Sequence, residues 1–142
     1  MVVKSSGNSD GAENVLDGSE ETKFKTEDQP FPWIGIQLQR PYHITKIAFL
    51  SGDEPIMNLD VRVGGEWIGK HSDGNTRYSG NTRCGMFHGP TVVTQQWVEL
   101  DCGYERGIKG GKISFQLTER TQANSPLEIT SVEIFGWGQV CV

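Results

Sequence analysis

Carboxylate pairs in polar segments are the side chains of this sequence best suited to ligand chemistry. Asp53-Glu54 and Glu27-Asp28 are two such pairs. A carboxylate accepts strong hydrogen bonds from the vicinal hydroxyl groups of a sugar, although such pairs also occur as solvated surface. Aromatic residues beside polar turns add to this chemistry, because an exposed ring can stack on the apolar face of a pyranose. These aromatic residues are Phe31, Trp67, Tyr78 and Phe87.

The histidines and hydroxyl residues do not predict a reaction centre. His71-Ser72-Asp73 contains the residue types of a catalytic triad, but a triad is assembled in space, and adjacent residues of an extended chain point apart. His43, His71 and His88 are scattered, and the sequence has no Cys-x-x-Cys pair with a zinc-binding spacing. We therefore expect a binding domain without catalytic activity.

A short glycine-flanked segment, residues 84–89, carries two large apolar residues, Met86 and Phe87. Their exposure at a loop tip is costly without a purpose, so they could touch a sugar or a lipid surface. The alternative is that both side chains fold back over the end of the domain. Arg83 and His88 flank them, and Arg83 could complete a sugar site or contact an anion.

Length and charge narrow the class of protein. The chain has 142 residues, which fits one domain, and a formal net charge of -5 without a cluster of Lys or Arg. Such a surface repels a phosphate backbone, so nucleic acid is not an expected partner. The longest apolar runs are far shorter than the roughly 20 residues that cross a bilayer.

Hydrophobic alternation predicts several short strands. In residues 34–38 and again in 59–63, every second residue is apolar. Residues 44–50 are apolar on both faces, which is typical of a central strand, and Arg40-Pro41 predicts a turn before it. The segment from Lys70 to Pro90 is polar and rich in glycine, so we expect a long exposed loop there.

Three later segments continue the pattern: 97–102, 113–117 and 129–135. Trp33 and Trp97 begin two of the predicted strands, and we expect both indoles in the core. Short strands separated by turns predict an all-β fold with two packed sheets, a β-sandwich. Loops gathered at one end of such a scaffold usually carry the function.

The two ends of the chain and the cysteines complete the outline. Residues 1–11 have no hydrophobic period and predict a flexible arm, residues 12–138 the folded domain, and residues 139–142 a tail. Cys84 and Cys102 bracket a loop, whereas Cys141 stands near the end of the chain. From the residues alone, a Cys84 to Cys102 disulfide and three reduced thiols are both acceptable.

Three segments in a fixed order resemble a known family. Asn14-Val15-Leu16-Asp17-Gly18-Ser19 resembles the opening motif of discoidin-type (coagulation factor type C) and fucose-lectin domains. Residues 32–38 resemble their Trp-x-x-Val-Asp-Leu strand, and residues 132–136 resemble their closing Val-Glu-Val-Tyr-Gly strand. Together they are similar to the galactose-binding-like jelly-roll superfamily. Three further segments are similar to its fucolectin branch: 59–64, 81–85 and 99–103.

This resemblance implies a jelly-roll β-sandwich, a Cys84 to Cys102 disulfide and secretion into an oxidising compartment. The fucolectin branch binds fucose through a histidine of an early loop and an Arg-x-Asp motif, followed by a second arginine, after the central strand. Here residues 20–31 contain no histidine and residues 51–55 contain no arginine. Lys25 and the Asp53-Glu54 pair occupy comparable places, so the resemblance leaves room for a differently built polar site.

The resemblance also implies a calcium site. In the family it combines carbonyl groups and the aspartate of the opening motif with a glutamate just before the closing strand. Asn14, Asp17 and Ser19 match the first part, but Ser131 stands at the position of the glutamate. A calcium ion needs about six to eight oxygen ligands. The alternatives are a structural calcium ion and an Asp17 that only caps the turn completed by Gly18.

We therefore predict a secreted, non-catalytic, lectin-like domain that binds a glycan or glycoprotein through residues 22–31, 51–55 and 82–90. The predicted ligand-binding residues are polar or aromatic side chains of these loops: Lys25, Asp28, Asp53, Glu54, Arg83, Phe87 and His88. The alternative is adhesion to a phospholipid or protein surface through the same loops. Weak affinity at a single site would be strengthened in a homo-oligomer, for which Cys141 offers a link.

Overall fold

The computed structural model describes residues 1–7, 9–19, 21–27, 31–68, 79–118 and 126–138. A short 3-10 helix, Ala12–Leu16, lies in the first part of the chain. The strands are β1 (Val2–Ser5), β2 (Phe24–Lys25), β3 (Trp33–Ser51), β4 (Leu59–Gly64), β5 (Thr82–Phe87), β6 (Trp97–Asp101), β7 (Ile108–Leu117) and β8 (Glu128–Gly138). Within these described segments, no helix has the length and apolar character needed to cross a bilayer.

Strand β3 runs without a break from Trp33 to Ser51. Its first half pairs with β1 and β7, and its second half pairs with β6 and β8. The register with β7 shifts between Gln37 and Tyr42. The predicted turn at Arg40-Pro41 is therefore wrong. Pro41, which has no N–H group, falls where the ladder to β7 is interrupted and needs no donor.

The two halves of β3 belong to two packed layers. One layer contains β1, β7, β4 and β5, and the other contains β6, β8 and β2. Phenyl rings connect them: the Phe49 ring contacts the rings of Phe87 and Phe115 edge-on, with centroids 5.9 and 6.3 Å apart. The all-β sandwich predicted from the sequence is confirmed.

The core follows the predicted alternation in most strands. Leu59, Val61 and Val63 of β4 are fully buried. In β6 the buried side chains are Val98 and, just beyond the strand, Cys102. Trp97 therefore points the other way and is exposed, so its predicted place in the core is wrong. Trp33 is only partly buried.

Two segments that we expected to lack regular structure contain edge strands. Val2–Ser5, part of the predicted flexible arm, forms β1 and pairs with residues 34–37 of β3. Thr82–Phe87, part of the predicted long loop, forms β5 and pairs only with β4. An edge strand is held by backbone hydrogen bonds on one side, so it needs no apolar alternation. The rest of that loop, residues 69–78, and the predicted tail, residues 139–142, lie outside the described residues.

The disulfide between Cys84 and Cys102 is confirmed. Cys84 lies in β5, at the edge of one layer, and Cys102 follows β6 in the other layer. The bond therefore joins the two layers covalently, in addition to the packing of the core.

Candidate ligand-binding rim

The strand register gathers three segments at one end of the sandwich. Ser51, the last residue of β3, pairs with Ile129, and Leu50 pairs with Trp97 at the start of β6. Lys25 of β2 pairs with Glu128 at the start of β8. We call the described residues 22–27, 52–57 and 88–96 the rim. Two of the three loops predicted to form the site, 22–31 and 51–55, meet here.

Hydrogen bonds fasten the second and third segments of the rim to each other. The Ile56 amide donates to the Thr91 hydroxyl at 3.0 Å, and the Thr91 amide donates to the Ile56 carbonyl at 3.0 Å. Further along, the Gln95 amide donates to the Gly52 carbonyl at 3.2 Å, and the Gln96 amide donates to the Ser51 hydroxyl at 2.9 Å. The two loops therefore present one joint surface.

Glu128 supports this surface from below. Its carboxylate is nearly inaccessible to solvent and accepts hydrogen bonds from the backbone amides of Asp53 and Glu54. Gly52 makes room for it, because a Cβ atom at that position would overlap the Glu128 carboxylate. A buried carboxylate is retained only where donors satisfy it, and here it fixes the backbone that carries two exposed acids.

Two lysines complete an ionic network at the surface. Lys23 is paired with Asp53, and its ammonium nitrogen also lies 3.8 Å from the Glu128 carboxylate. The Lys25 ammonium donates to Glu54 at 3.2 Å. The hydrogen bond to Asp53 raises the pKa of Lys23 above its ordinary value, with a further contribution from Glu128, while partial desolvation opposes the change. The rim thus carries fixed charges of both signs within a short distance.

A small open pocket of about 160 Å³ lies beside the network. Asp53, Glu54 and Pro55 form one side, and residues 91–94 form the other. Val92 and Val93 are 81% and 62% exposed. The pocket therefore lies between residues that carry acceptor groups and exposed valines, a mixture of polar and apolar groups that suits a small ligand.

The structure brings together part of the predicted site. Lys25, Asp53 and Glu54 lie side by side in the rim. His88 is exposed and follows β5, and its carbonyl accepts a hydrogen bond from the Asn58 amide at 3.1 Å. Asp28 falls outside the described residues.

Two predicted ligand residues lie elsewhere. The Phe87 ring packs edge-on against Phe49 and is half-buried, so it folds back over the core as in the alternative considered for this segment. Arg83 lies four residues, or about 13 Å, before Phe87 in β5. Its guanidinium donates to the buried carboxylate of Asp60 at 2.6 Å, next to Arg62 at 2.8 Å from the same carboxylate. Arg83 is therefore part of a sheet-surface ion cluster rather than the rim.

Sequence reasoning missed Lys23, Glu128 and the exposed Val92-Val93 pair. Glu128 alternates with the core residues Leu127 and Ile129, which predicts an outward side chain, and the register of β8 shifts between its pairs with Ser51 and Leu50. Lys23 and the valines stand in irregular segments, where no periodicity shows which way a side chain points.

The Asn14–Ser19 turn is the predicted calcium site. The Asp17 carboxylate accepts hydrogen bonds from the Ser19 amide, at 2.8 Å, and from the Thr22 hydroxyl, and these two bonds lower the pKa of Asp17. The side-chain amide of Asn14 donates a hydrogen bond to the backbone carbonyl of Lys23 at 3.3 Å. Within the described residues, no group of three His, Cys, Asp or Glu side chains could hold a metal ion.

Asp17 and its two donors form a hydrogen-bonded turn, as in the alternative in which Asp17 only caps the turn. Gly18, with a φ of 74°, completes that turn. The calcium ion stays a prediction. The His71-Ser72-Asp73 segment lies outside the described residues.

Solved structures with this architecture are known. A fucolectin from the serum of the striped bass Morone saxatilis is similar over 96% of this chain and 47% of its own, with 19% sequence identity and a TM-score of 0.72. The CBM32 of AlyQ, in complex with 4,5-unsaturated mannuronic acid, is similar over 95% of this chain and 94% of its own, with 14% identity and a TM-score of 0.69.

A fucose binding module of Streptococcus pneumoniae, SpX-3, is similar over 96% of this chain and 93% of its own, with 16% identity and a TM-score of 0.65. The chain shares the β-sandwich fold of these three structures. This chain spans about half of the striped bass chain, but nearly the whole of the two modules. No protein-family model and no curated protein matches the sequence.

Proposed function

We propose that this domain binds a glycan at the rim and acts as a non-catalytic, lectin-like module of a secreted protein. The observation that supports the proposal most directly is the pocket in which Asp53 and Glu54, held by the buried Glu128, face the exposed Val92 and Val93. The structural likeness to a fucolectin, to a fucose binding module and to a module in complex with 4,5-unsaturated mannuronic acid adds support at the level of the fold.

The rim would recognise a sugar through directional bonds. The carboxylates of Asp53 and Glu54 accept hydrogen bonds from neighbouring hydroxyl groups, and the ammonium groups of Lys23 and Lys25 donate to hydroxyl or ring oxygens. The valine side chains cover an apolar patch of the ring. The pocket is small, so the ligand that we propose is a single sugar residue with vicinal hydroxyls at the end of a glycan.

Secretion and multivalency extend this proposal. The Cys84–Cys102 disulfide supports an oxidising compartment, since such bonds are rare where thiols are kept reduced. Single sugar sites bind weakly, and presentation of several copies raises the avidity. Cys141, which could link copies, lies outside the described residues.

A glycan array with purified protein tests the proposal. We expect binding to a restricted set of neutral glycans, and an at least tenfold weaker signal for Glu54→Gln, which removes the acceptor charge without changing the shape of the side chain. Glu13→Gln, at an exposed glutamate of the 3-10 helix, is the matched control and should bind as the unaltered protein does. A blank array at high glycan density, with a native far-UV circular dichroism spectrum, would refute glycan binding.

A phospholipid surface is the second candidate ligand, because exposed valines at a loop tip can insert into an interface. Liposome sedimentation separates the two possibilities. Val92→Ser combined with Val93→Ser should abolish lipid binding but only weaken a sugar site, in which hydrogen bonds supply the orientation. If the protein sediments with liposomes and gives no signal on the glycan array, the ligand of the rim is a phospholipid and not a glycan.

A further inference from the structure

The exposed aromatic residues of the described chain all lie on one layer of the sandwich. Trp97, Tyr104, Phe135 and Trp137 are 41%, 53%, 37% and 48% exposed. Trp97 is in β6, Phe135 and Trp137 are in β8, and Tyr104 is in the loop between β6 and β7. Because Val98 and Val132 of the same strands are buried, the rings stand on the outer face of this layer.

We group three of these rings as the aromatic platform: Tyr104 and Phe135, which line one pocket, and Trp137, which follows Phe135 on the same face of β8. Trp137 stacks on His43 of β3, with centroids 4.0 Å apart and an interplanar angle of 8°. Phe135 lies two residues earlier on the same face, about 7 Å away. The Lys46 ammonium lies 4.4 Å from its ring centroid. Strand register and these neighbours therefore hold the rings in place.

The loop that carries Tyr104 is also held. The Gly103 amide donates to the Asp101 carboxylate at 2.8 Å, and the Gly107 amide donates to the Tyr104 carbonyl at 2.9 Å. An open pocket of about 690 Å³ lies between this loop and β8. Its polar walls come from Thr45, Lys46, Asp101 and Glu105, and its apolar walls from Tyr104 and Phe135.

We infer that the aromatic platform is a second binding site, which takes a neutral glycan chain along the sheet face. A pyranose offers an apolar C–H face to a ring and hydroxyl groups at its edge, and each ring of the platform has a charged or polar neighbour that can bond those hydroxyls. This pocket is open and larger than the one at the rim, so a chain that runs along the face suits it better than a single terminal sugar.

Charge selects a neutral chain. The carboxylates around the platform outnumber its cations, which are Lys46, Lys109 and Arg106 of the loop that carries Tyr104. These carboxylates are Glu99, Asp101, Glu105 and Glu133. An anionic polysaccharide would be repelled. A second copy of the chain fits less well, because protein interfaces are depleted of charge at their centre, whereas here charges lie beside the rings.

The platform and the rim are separate sites. Trp137 pairs with His43, whereas the rim begins beyond Ser51, eight residues or about 26 Å further along β3. The inference therefore does not depend on the function proposed for the rim, and either site can fail without the other.

Affinity electrophoresis through gels that contain soluble neutral polysaccharides tests the inference. Mixed-linkage β-glucan, xylan, galactomannan and galactan are the probes, with alginate as an anionic comparison. We expect at least one neutral polysaccharide to retard the protein and to change its tryptophan fluorescence. Phe135→Ala and Trp137→Ala should each weaken the retardation at least tenfold, because each removes a stacking surface that is exposed and has no role in the core.

Trp97→Ala is the matched control. It removes an indole of similar exposure on the same face. Trp97 pairs with Leu50 of β3, which lies four residues or about 13 Å beyond Lys46, the partner of Phe135. The variant should leave the retardation within twofold of that of the unaltered protein. The inference is overturned if no neutral polysaccharide retards the natively folded protein, if alginate alone does so, or if the Phe135→Ala, Trp137→Ala double variant is retarded as before. Sedimentation equilibrium that shows a dimer, dissociated by Phe135→Ala, would assign the platform to self-association instead.

Discussion

The rim and the aromatic platform are built in opposite ways. The rim consists mostly of irregular segments held by charge: the buried Glu128 binds the backbone amides of Asp53 and Glu54, and each of these two acids pairs with one lysine. Two of the three rings of the platform, Phe135 and Trp137, stand on the regular strand β8, where the register sets Trp137 beside His43.

This contrast indicates what each surface recognises and what disturbs it. Hydrogen bonds between exposed charged groups orient a ligand, but added salt screens them. Ring stacking gives area without direction and depends on backbone spacing. Changes in backbone packing should therefore damage the platform first, and changes in charge or in the loop anchor should damage the rim first.

Removal of the disulfide should have the largest effect. Cys84→Ala combined with Cys102→Ala is expected to lower the free energy of unfolding by about 3 kcal/mol, because the bond closes an 18-residue loop in the unfolded chain. Since Cys102 lies two residues before Tyr104, polysaccharide binding should suffer more than binding at the rim. Urea denaturation and the two binding assays measure this, and unchanged stability would show that the bond does not constrain the unfolded chain.

Gly136→Ala should damage the platform next. A methyl group there would overlap the His43 carbonyl oxygen, so β8 must move away from β3, at a cost of about 2 kcal/mol. Polysaccharide retardation should fall while the glycan-array signal is retained. Gly65→Ala is the control, because its methyl group meets nothing within 4 Å. Equal melting temperatures for the two variants would contradict the close approach of these strands.

Gly52→Ala should act on the rim alone. The new methyl group displaces the Glu128 carboxylate from the amides of Asp53 and Glu54, which costs about 1 kcal/mol. We expect a lower array signal and unchanged polysaccharide retardation. A Gly52→Ala protein with its full array signal would show that Glu128 does not set the shape of the rim.

Asp17→Asn should have the smallest effect and a defined pH dependence. The folded protein lowers the pKa of Asp17, so the unfolded chain binds the proton more readily, and the ionised carboxylate stabilises the fold above its ordinary pKa. The advantage of the unaltered protein in melting temperature should be complete at pH 6 and shrink as the pH falls below about 4. Thermal melts across this range measure it, with Thr22→Val to remove the strongest hydrogen bond to Asp17.

The same melts address the calcium prediction. A rise in melting temperature on addition of calcium chloride, reversed by EGTA and absent from Asp17→Asn, would support an ion at the Asn14–Ser19 turn. Equal melting temperatures with and without calcium would leave Asp17 with only its hydrogen bonds to Ser19 and Thr22.

The sequence predicted the sandwich because central strands must bury one or both faces. Apolar residues therefore recur at every second position of such a strand, as in residues 59–63. The resemblance to the fucolectin branch pointed to Lys25 and the Asp53-Glu54 pair, and the structure places these side chains next to one another. The edge strands β1 and β5 escaped prediction, since backbone pairing on one side demands no pattern.

Cross-strand pairings were beyond reach for a related reason. Arg83 bonds to Asp60 only because a register shift between Val61 and Arg62 aligns β5 with β4 in a particular way. Likewise, the Phe135 and Trp137 rings follow β8 in plain alternation, yet nothing in the sequence states which charged side chains of β3 and of the β6–β7 loop lie next to them. Long-range register decides both cases.

Strand β3 couples the unfolding of the two layers. Since one uninterrupted segment supplies hydrogen bonds to β1, β6, β7 and β8, neither layer can detach while the other stays intact. Opening should thus be all-or-none, and amide protons at both ends of this segment should exchange with solvent only when the entire domain unfolds.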